Sequence, residues 1–404
     1  MIDIGIGLSS GKNAMLAAEE AVRLAKKNKK DGGKIDLALV FSTLDLSAAS
    51  LCKTLNSFLG GITILGSSGA AIISDQGIFK HGLILMLLSF PEGVYFSTAY
   101  VKDLSSKIPL HSGEELGEKL LYGFKNIPRN LGLIFFDRLI DGGSNFISGM
   151  QEHLGRSFPF LGASASNTLH SVKSSLYFNQ GVLSDSCAGI LWGGKLTFGF
   201  GIKHGWKPLG KPHIVSSTEG NIVKEIDGQP AVRLYEDYLA CNLAKLKKEL
   251  QHLSLSYPIG VFIAQGEEYL LRNILSIEEN GSLVCQGNVP QGSTIRLMIS
   301  TKETRLEATR LAVEEAQKNL TGSIMKFGKE KTSRLAIAFS SFSRYNLLRR
   351  DAKKELEIIK ENLDVNTPII GLYTHGELAP LKTSSYRGQI YFHNQAVNVL
   401  ILEA

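Results

Sequence analysis

Two short runs in the C-terminal third gather groups able to bind or polarise a small molecule. Thr374-His375-Gly376-Glu377 follows an apolar segment, and Tyr391-Phe392-His393-Asn394-Gln395 precedes another. Arg344 lies upstream in Ser340-Ser341-Phe342-Ser343-Arg344, just past a third apolar segment. A guanidinium can grip a carboxylate through two parallel N–H bonds, so Arg344 and Glu377 together could hold the two charges of an amino acid. The alternative is a structural Arg–Glu pair that ties loops together, with Asn394 supporting a turn. Ligands of parallel sheets gather beyond the carboxyl ends of strands. Arg344, Glu377 and Asn394 are therefore expected to line one cavity, with Tyr373 and His375 close by and Gly371 and Gly376 beside them.

Gly371 also belongs to a larger pattern. Thr63-Ile64-Leu65-Gly66-Ser67-Ser68-Gly69, Pro159-Phe160-Leu161-Gly162-Ala163-Ser164 and Pro368-Ile369-Ile370-Gly371-Leu372-Tyr373-Thr374 are three strands that reach a glycine followed mostly by small or polar residues. A strand glycine leaves space that another backbone or a ligand can take.

Around each glycine the periodicity repeats the same order of elements. In the first unit these are an apolar run at 4–8, a helical face at Ala14, Ala18, Ala21, Val22 and Ala25, and a buried strand at 37–41. A second helix at Leu51, Leu55, Phe58 and Leu59 follows, then the Gly66 strand and a closing strand at 83–90. The second unit runs from Val94 to Trp192. The third is expected to open with a strand at 295–300 and close at 397–402. Ser112-x-x-Glu115 and Ser300-x-x-Glu303 read as capping boxes at matching helix starts.

The interval from Gly162 to Gly371 is about twice that from Gly66 to Gly162, so one unit's worth of other sequence intervenes. That stretch, 196–294, has β-like runs and one amphipathic helix from about Ala231 to Leu253. The expected fold is α/β. Two lobes are built from repeated strand-helix-strand-helix-strand units, with an inserted α+β segment. Residues 1–195 hold two units, and 196–404 hold the insert (196–294) and the third unit (295–404).

Several motifs do not complete a known site. Gly5-Ile6-Gly7-Leu8-Ser9-Ser10-Gly11-Lys12 lacks the first Walker glycine and carries Asn13 where a magnesium-binding hydroxyl belongs. Gly162-Ala163-Ser164-Ala165-Ser166 resembles a nucleophile elbow with its last glycine replaced, and no histidine follows in a convincing loop. His153, His170 and His204 stand alone, without a zinc-binding spacing. Cys52, Cys187, Cys241 and Cys285 are scattered and read as buried reduced thiols.

Composition sets limits. The chain is 44% hydrophobic and 20% charged, an ordinary globular balance. No apolar run approaches a bilayer span and no signal pattern opens the chain, so a cytoplasmic protein without a membrane role is expected. The formal net charge of +6 is spread widely, and no aromatic residues interleave with Lys26-Lys27-Asn28-Lys29-Lys30, which argues against nucleic acid.

Taken in order, Asp36-Leu37-Ala38-Leu39-Val40-Phe41 with Gly66-Ser67-Ser68-Gly69, then Asn221 to Pro230 with Asp227-Gly228, Tyr269-Leu270-Leu271-Arg272, the Pro-Gln-Gly-Ser run at 290–293, Ile370 to Glu377 and Phe392 to Gln395 resemble the FIST family (F-box and intracellular signal transduction domains). The resemblance spans nearly the whole chain. It implies a sensory module for a small ligand and adds Arg272 to the ligand-binding candidates. Two departures stand out. Ser340-Ser341 replaces the family's Ser-Cys, so a cysteine-dependent role does not carry over, and His375 stands where an aromatic is usual.

The resemblance implies a free-standing sensor that binds an amino acid or related carboxylate, needs no cofactor and signals to a separate output protein. The alternative is non-covalent haem, with His375 or His393 as axial ligand, because some FIST proteins have been described as nitric-oxide sensors. An enzyme of unassigned chemistry is the third reading, since no nucleophile–base pair can be assigned.

Overall fold

The computed structural model describes the chain apart from residues 31, 44, 125, 138–141, 166–173, 264–267, 325–333 and 382–388, and only the backbone of 321–324. Ser166 and His170 lie outside the described residues.

Each of the three units contributes two adjacent parallel strands to the middle of a six-stranded sheet. They are Leu37–Thr43 with Thr63–Gly69, Arg129–Phe136 with Phe160–Ser164, and Arg334–Ser341 with Ile369–Thr374. An antiparallel strand, Leu83–Ser89, Ser186–Gly194 or Val397–Glu403, separates each pair from the unit's opening strand. Between its second parallel strand and its closing strand every unit makes a hairpin, and that hairpin bonds to a different unit's sheet. The hairpin of unit one, Ala71–Ser74 with Gly77–Phe79, joins Ile369–Thr374 of unit three. Unit three's, Glu377–Pro380 with Ile390–His393, joins Phe160–Ser164 of unit two. Unit two's, Leu176–Phe178 with Gly181–Leu183, joins Thr63–Gly69 of unit one. The exchange closes a ring.

Side chains alternate across each central strand. Ala38 and Val40 face unit one's helices, whereas Leu37, Leu39 and Phe41 face inward; Leu131, Leu133 and Phe135, and Leu335, Ile337 and Phe339, do the same. These inward residues share one core. Phe41, Phe135 and Phe339 meet edge to face with centroids 5.7, 5.9 and 5.9 Å apart, the geometry preferred by ring quadrupoles.

The strand glycines are explained by backbone. A Cβ on Gly66 would lie 1.8 Å from the Val40 carbonyl oxygen, on Gly371 2.0 Å from that of Ala338, and on Gly162 2.9 Å from that of Ile134. The neighbouring parallel strand occupies the space. The apparent phosphate cradle is likewise a packing device: Cβ atoms on Gly5 and Gly7 would strike the Ala25 and Ala21 carbonyls of helix Ala14–Asn28. Gly199 and Gly201 meet Ala316 and Ala312 of helix Lys302–Ile324 in the same way.

That parallel corrects one boundary. The opening strand of unit three is Thr197–Lys203, paired along its length with Val397–Glu403. The strand expected to open the unit, observed as Thr294–Ile299, pairs with Lys207–Glu219 and Ile259–Ile263 in the insert. The insert therefore interrupts unit three after its first strand, and the boundary expected at 195–196 falls inside the ring. Residues 207–299 build an eight-stranded sheet with their own core. The single helix expected there is two, Arg233–Leu239 and Leu243–Ser256, because Ala240 turns left-handed (φ 48°) and Asn242 caps the second by accepting from the Lys245 amide. The capping boxes are also replaced. Helix Pro109–Leu121 starts on a proline, leaving Ser112 inside it, while Thr301 and Thr304 cap Lys302–Ile324 reciprocally.

Phe135→Ala should lower the urea midpoint by the equivalent of about 3–5 kcal/mol, the range for a buried aromatic. Phe58→Ala, at a residue 44% exposed, should change it little. Equal effects of the two substitutions would contradict an aromatic ring-closing contact.

Candidate functional site

The seam between unit three and the insert concentrates the polar chemistry. Helix Phe342–Leu348 leaves the end of the central strand Arg334–Ser341, which aims Arg344 back beneath the sheet's outer face, fully buried. Its Nε and Nη2 donate to Oε1 of Glu355 at 2.9 and 2.7 Å. Nη1 donates to the His204 carbonyl at 2.8 Å, and Nη2 also reaches the Arg305 carbonyl and Thr309 Oγ1. Glu355 in turn accepts from Thr309, Ser340 and the Tyr373 hydroxyl. One ion pair thus ties the opening strand, the long helix, the central strand, its parallel neighbour and helix Ala352–Glu361. Burial, with Glu355 beside it, holds the Tyr373 phenol well above its ordinary range.

Arg344 does not pair with Glu377, as the sequence suggested it could; its carboxylate is Glu355. The signal for Glu355 was an acid on an apolar helix face, at i+3 from Ala352 and one residue before Leu356, with Ile359 following. Thr309 sits similarly among Arg305, Ala312 and Val313 on the long helix.

Directly outside this clamp lies a pocket of about 560 Å³, walled by His204, Trp206, Pro208 and Tyr269 on one side and Ala308 and Leu311 of the long helix on the other. Lys203, Gly205, Lys207, Glu268, Glu303, Thr304 and Glu307 complete its lining. The clamp sets the two walls, since Arg344 holds the carbonyls of both His204 and Arg305. His204 Nδ1 accepts from the Trp206 amide at 2.9 Å, and burial, with Arg344 nearby, pulls its pKa down to about 4. The imidazole is neutral at pH 7. The Arg305 guanidinium lies over the Trp206 indole at cation–π distance, 5.7 Å from the ring centre.

Glu377, His375, His393, Asn394 and Arg272 form a second group, deeper in the seam. Glu377 begins the exchanged hairpin and is fully buried; Oε1 accepts from Thr374 Oγ1 at 2.7 Å, and Oε2 makes no hydrogen bond among the described residues. Burial pushes its pKa up to about 8, against the pull of the Thr374 hydroxyl and the Ala396 amide. Asn394 Oδ1 accepts from the Asn273 amide, and Asn273 Oδ1 from Gln395 Nε2 at 2.6 Å. Gln286 links Asn273 to the His375 carbonyl. Arg272 donates to the carbonyls of Leu271, Phe392 and Asn288. Arg344 therefore belongs to one cluster and Asn394 to another. Gly371 packs on its neighbouring strand, and Gly376 lies under the Phe392 ring, 2.4 Å from where a Cβ would stand.

These surroundings do not fit a haem. His393 Nε2 is committed to the Ala379 carbonyl at 3.0 Å within the hairpin, and an axial bond from it would break that contact. The His375 ring packs on Phe342 with centroids 5.5 Å apart. Among the described residues no group of three or more His, Cys, Asp or Glu could hold a metal ion, and no helix is long and apolar enough to cross a membrane. All four cysteines carry free thiols. In the insert, His213 bridges Asp227 and Tyr238 at 2.7 and 3.2 Å. A Cβ on Gly210 would lie only 2.1 Å from the Tyr238 hydroxyl, so this relay straps a strand bulge to a helix.

Comparison with known proteins places these features in context. Residues 36–229 match the FIST N domain and residues 231–380 the FIST C domain. An uncharacterized protein of Methanocaldococcus jannaschii is 24% identical over 310 residues, 72% of this chain but only 59% of that relative. One from Mycobacterium tuberculosis is 23% identical over 335 residues, 79% of this chain and 82% of its own length. Among solved structures, a cyanuric acid hydrolase from A. caulinodans aligns over 100% of this chain and 99% of its own, at 8% identity and a TM-score of 0.40.

Arg344→Met should destabilise the protein by about 3–5 kcal/mol in chemical denaturation, because it strands the buried Glu355. Arg344→Met with Glu355→Leu should recover part of that loss, and a double variant no better than the single one would argue against the pair. The pH dependence has two signs. Glu377 is raised from 4.5 to about 8, so its contribution to stability falls as pH rises through that window. His204 and His393 are lowered from 6.5 to about 4 and about 3, so theirs falls as pH drops below 6.5. Between pH 6.5 and 8 stability should decline by up to ~1.4 kcal/mol per pH unit through Glu377, and Glu377→Gln should flatten the slope. Melting curves across that range check it.

Proposed function

The chain belongs to the FIST family, and we propose that it is a cytoplasmic sensor whose ligand, an amino acid or related carboxylate, occupies the pocket between unit three and the insert. FIST domains are signal-transduction sensory domains. The observation that carries the reading is the pocket itself. It is a concave site of about 560 Å³ with an aromatic and aliphatic wall and charges of both signs around it. Ligand sites of this size, apolar with a few placed polar groups, favour the junctions between domains. Trp206 and Tyr269 would cover the side chain of such a ligand. Lys207 and Glu303 could answer its carboxylate and ammonium.

The same wall explains how occupancy could be passed on. Trp206 and Tyr269 belong to the insert side, whereas Ala308 and Leu311 belong to the ring, so a bound ligand would bridge the two bodies. The receiver of that state would be a separate output protein. Thr304 Oγ1 in the pocket lining donates to the Thr301 carbonyl, and Ser340 and Tyr373 behind it donate to Glu355 inside the clamp, which favours binding over turnover at this site.

A thermal-shift screen of the standard amino acids and short-chain carboxylates tests the reading, since a ligand that binds only the native state raises Tm. At least one compound should raise Tm and also change Trp206 fluorescence, with Trp206→Phe removing the optical signal. Ala308→Trp, which fills the pocket, should abolish the shift while leaving the unliganded Tm within a few degrees. A compound that changes Trp206 fluorescence yet still shifts Tm in Ala308→Trp would place the ligand elsewhere, and a panel with no such compound would refute the ligand class.

A further inference from the structure

Strand Glu268–Arg272 is the edge of the insert's sheet, and its two faces do different things. Tyr269 lines the pocket, while Arg272 turns to the opposite face and is buried among Asn273, Gln286, Gly287 and the Phe392–Asn394 segment. Arg272 is only 5% exposed, and no carboxylate among the described residues lies within ion-pair distance of it. Three backbone carbonyls take Nε and Nη1 and fix the plane of the guanidinium, and Nη2 makes no hydrogen bond among the described residues. Burial lowers its pKa to about 10, so it stays charged at pH 7.

One fully enclosed donor is left unbonded on the same contact. Asn394 is 2% exposed, and its orientation is set because Oδ1 accepts from the Asn273 amide at 3.1 Å. Nδ2 is consequently directed away and has no hydrogen-bond partner among the described residues. Arg272 and Asn273 are consecutive, and their partners Phe392 and Asn394 are two residues apart, so the enclosed Asn394 Nδ2 and the unbonded Arg272 Nη2, which keeps the residue's remaining exposure, belong to neighbouring rungs of one contact. Gly287 (φ +107°) stands against Arg272, and a Cβ there would be 3.2 Å from Nε, so the absent side chain keeps the guanidinium uncrowded. A buried cation without a counter-charge and a buried amide donor without an acceptor are each unfavourable. Both would be satisfied by one small anion.

We propose that Arg272 and Asn394 form a binding site for a small carboxylate, separate from the pocket on the other face of the strand. Two donors suit a planar two-oxygen acceptor better than a tetrahedral one. Binding there would stiffen the strand that also presents Tyr269, so the anion would act as a second input to the same sensor.

The test measures Tm of the intact protein against sodium acetate at constant ionic strength, with choline chloride as control. A saturable rise of a few degrees is expected for the wild type. Arg272→Met should remove it without lowering the starting Tm by more than a few degrees, because it also removes the uncompensated charge. Asn394→Asp, which supplies an internal counter-ion in nearly the same shape, should raise the starting Tm and abolish the acetate response. Ala308→Trp in the pocket should keep the acetate response, which separates this site's failure from the pocket's. No saturable rise in the wild type, or a rise that survives Arg272→Met, would overturn the site. A rise with phosphate or sulfate and none with acetate would overturn the carboxylate assignment.

Discussion

Three phenylalanine edges meet on one line through the ring, and the placement of everything else follows from that contact. For Phe41, Phe135 and Phe339 to touch, the three central strands must run inward at the same height. Their parallel neighbours must then crowd against them, which is why Gly66, Gly162 and Gly371 carry no side chain. With the strands so close, each helix pair is pushed outward, and in units one and three strand glycines let a helix settle directly on the sheet. The hairpins then span from one sheet to another and lock the arrangement.

Inside unit three the Arg344–Glu355 pair holds the outer layer to that frame. A buried ion pair is a poor source of stability by itself, because two charges must be stripped of water. Here both oxygens of Glu355 and all three nitrogens of Arg344 are hydrogen-bonded, so the pair yields position. Two of its contacts are the carbonyls of His204, in one wall of the pocket, and of Arg305, next to Thr304 in the opposite wall. The width of the pocket is thus determined from behind, by groups that a ligand would never touch.

The order of elements in each unit was legible because buried parallel strands and amphipathic helices leave different periods in the chain. Two kinds of information were not. A strand glycine records that something approaches closely, and a carbonyl and a ligand leave the same mark, so Gly371 could not be resolved without the neighbouring strand. Pairing across a long insertion is equally silent. Thr197–Lys203 lies far upstream of its helix, so Thr294–Ile299, adjacent to that helix, looked like its partner. At the site, Arg344 was visible as a charged group beyond a strand end. Its partner was not, since Glu355 and Glu377 are both acids near the same sheet and only packing separates them. Trp206 and Tyr269 gave no periodic signal, because they meet at a seam between two bodies.

The hairpin exchange has an implication for ancestry. A chain holding a single unit would have an unfilled sheet edge and a hairpin with nowhere to bind, and three such chains could satisfy one another only as a threefold symmetric assembly. Joining the copies end to end releases them from identity. Ile72 and Leu176 fill inward positions of the exchanged hairpins of units one and two, while unit three has Glu377; Ile84 and Ala188 on the closing strands likewise correspond to Asn398. In a homotrimer any such polar change would appear three times around the axis, tripling the cost of an unsatisfied buried group. Concatenation permits the change once, and one third of the ring can specialise while the other two keep it folded.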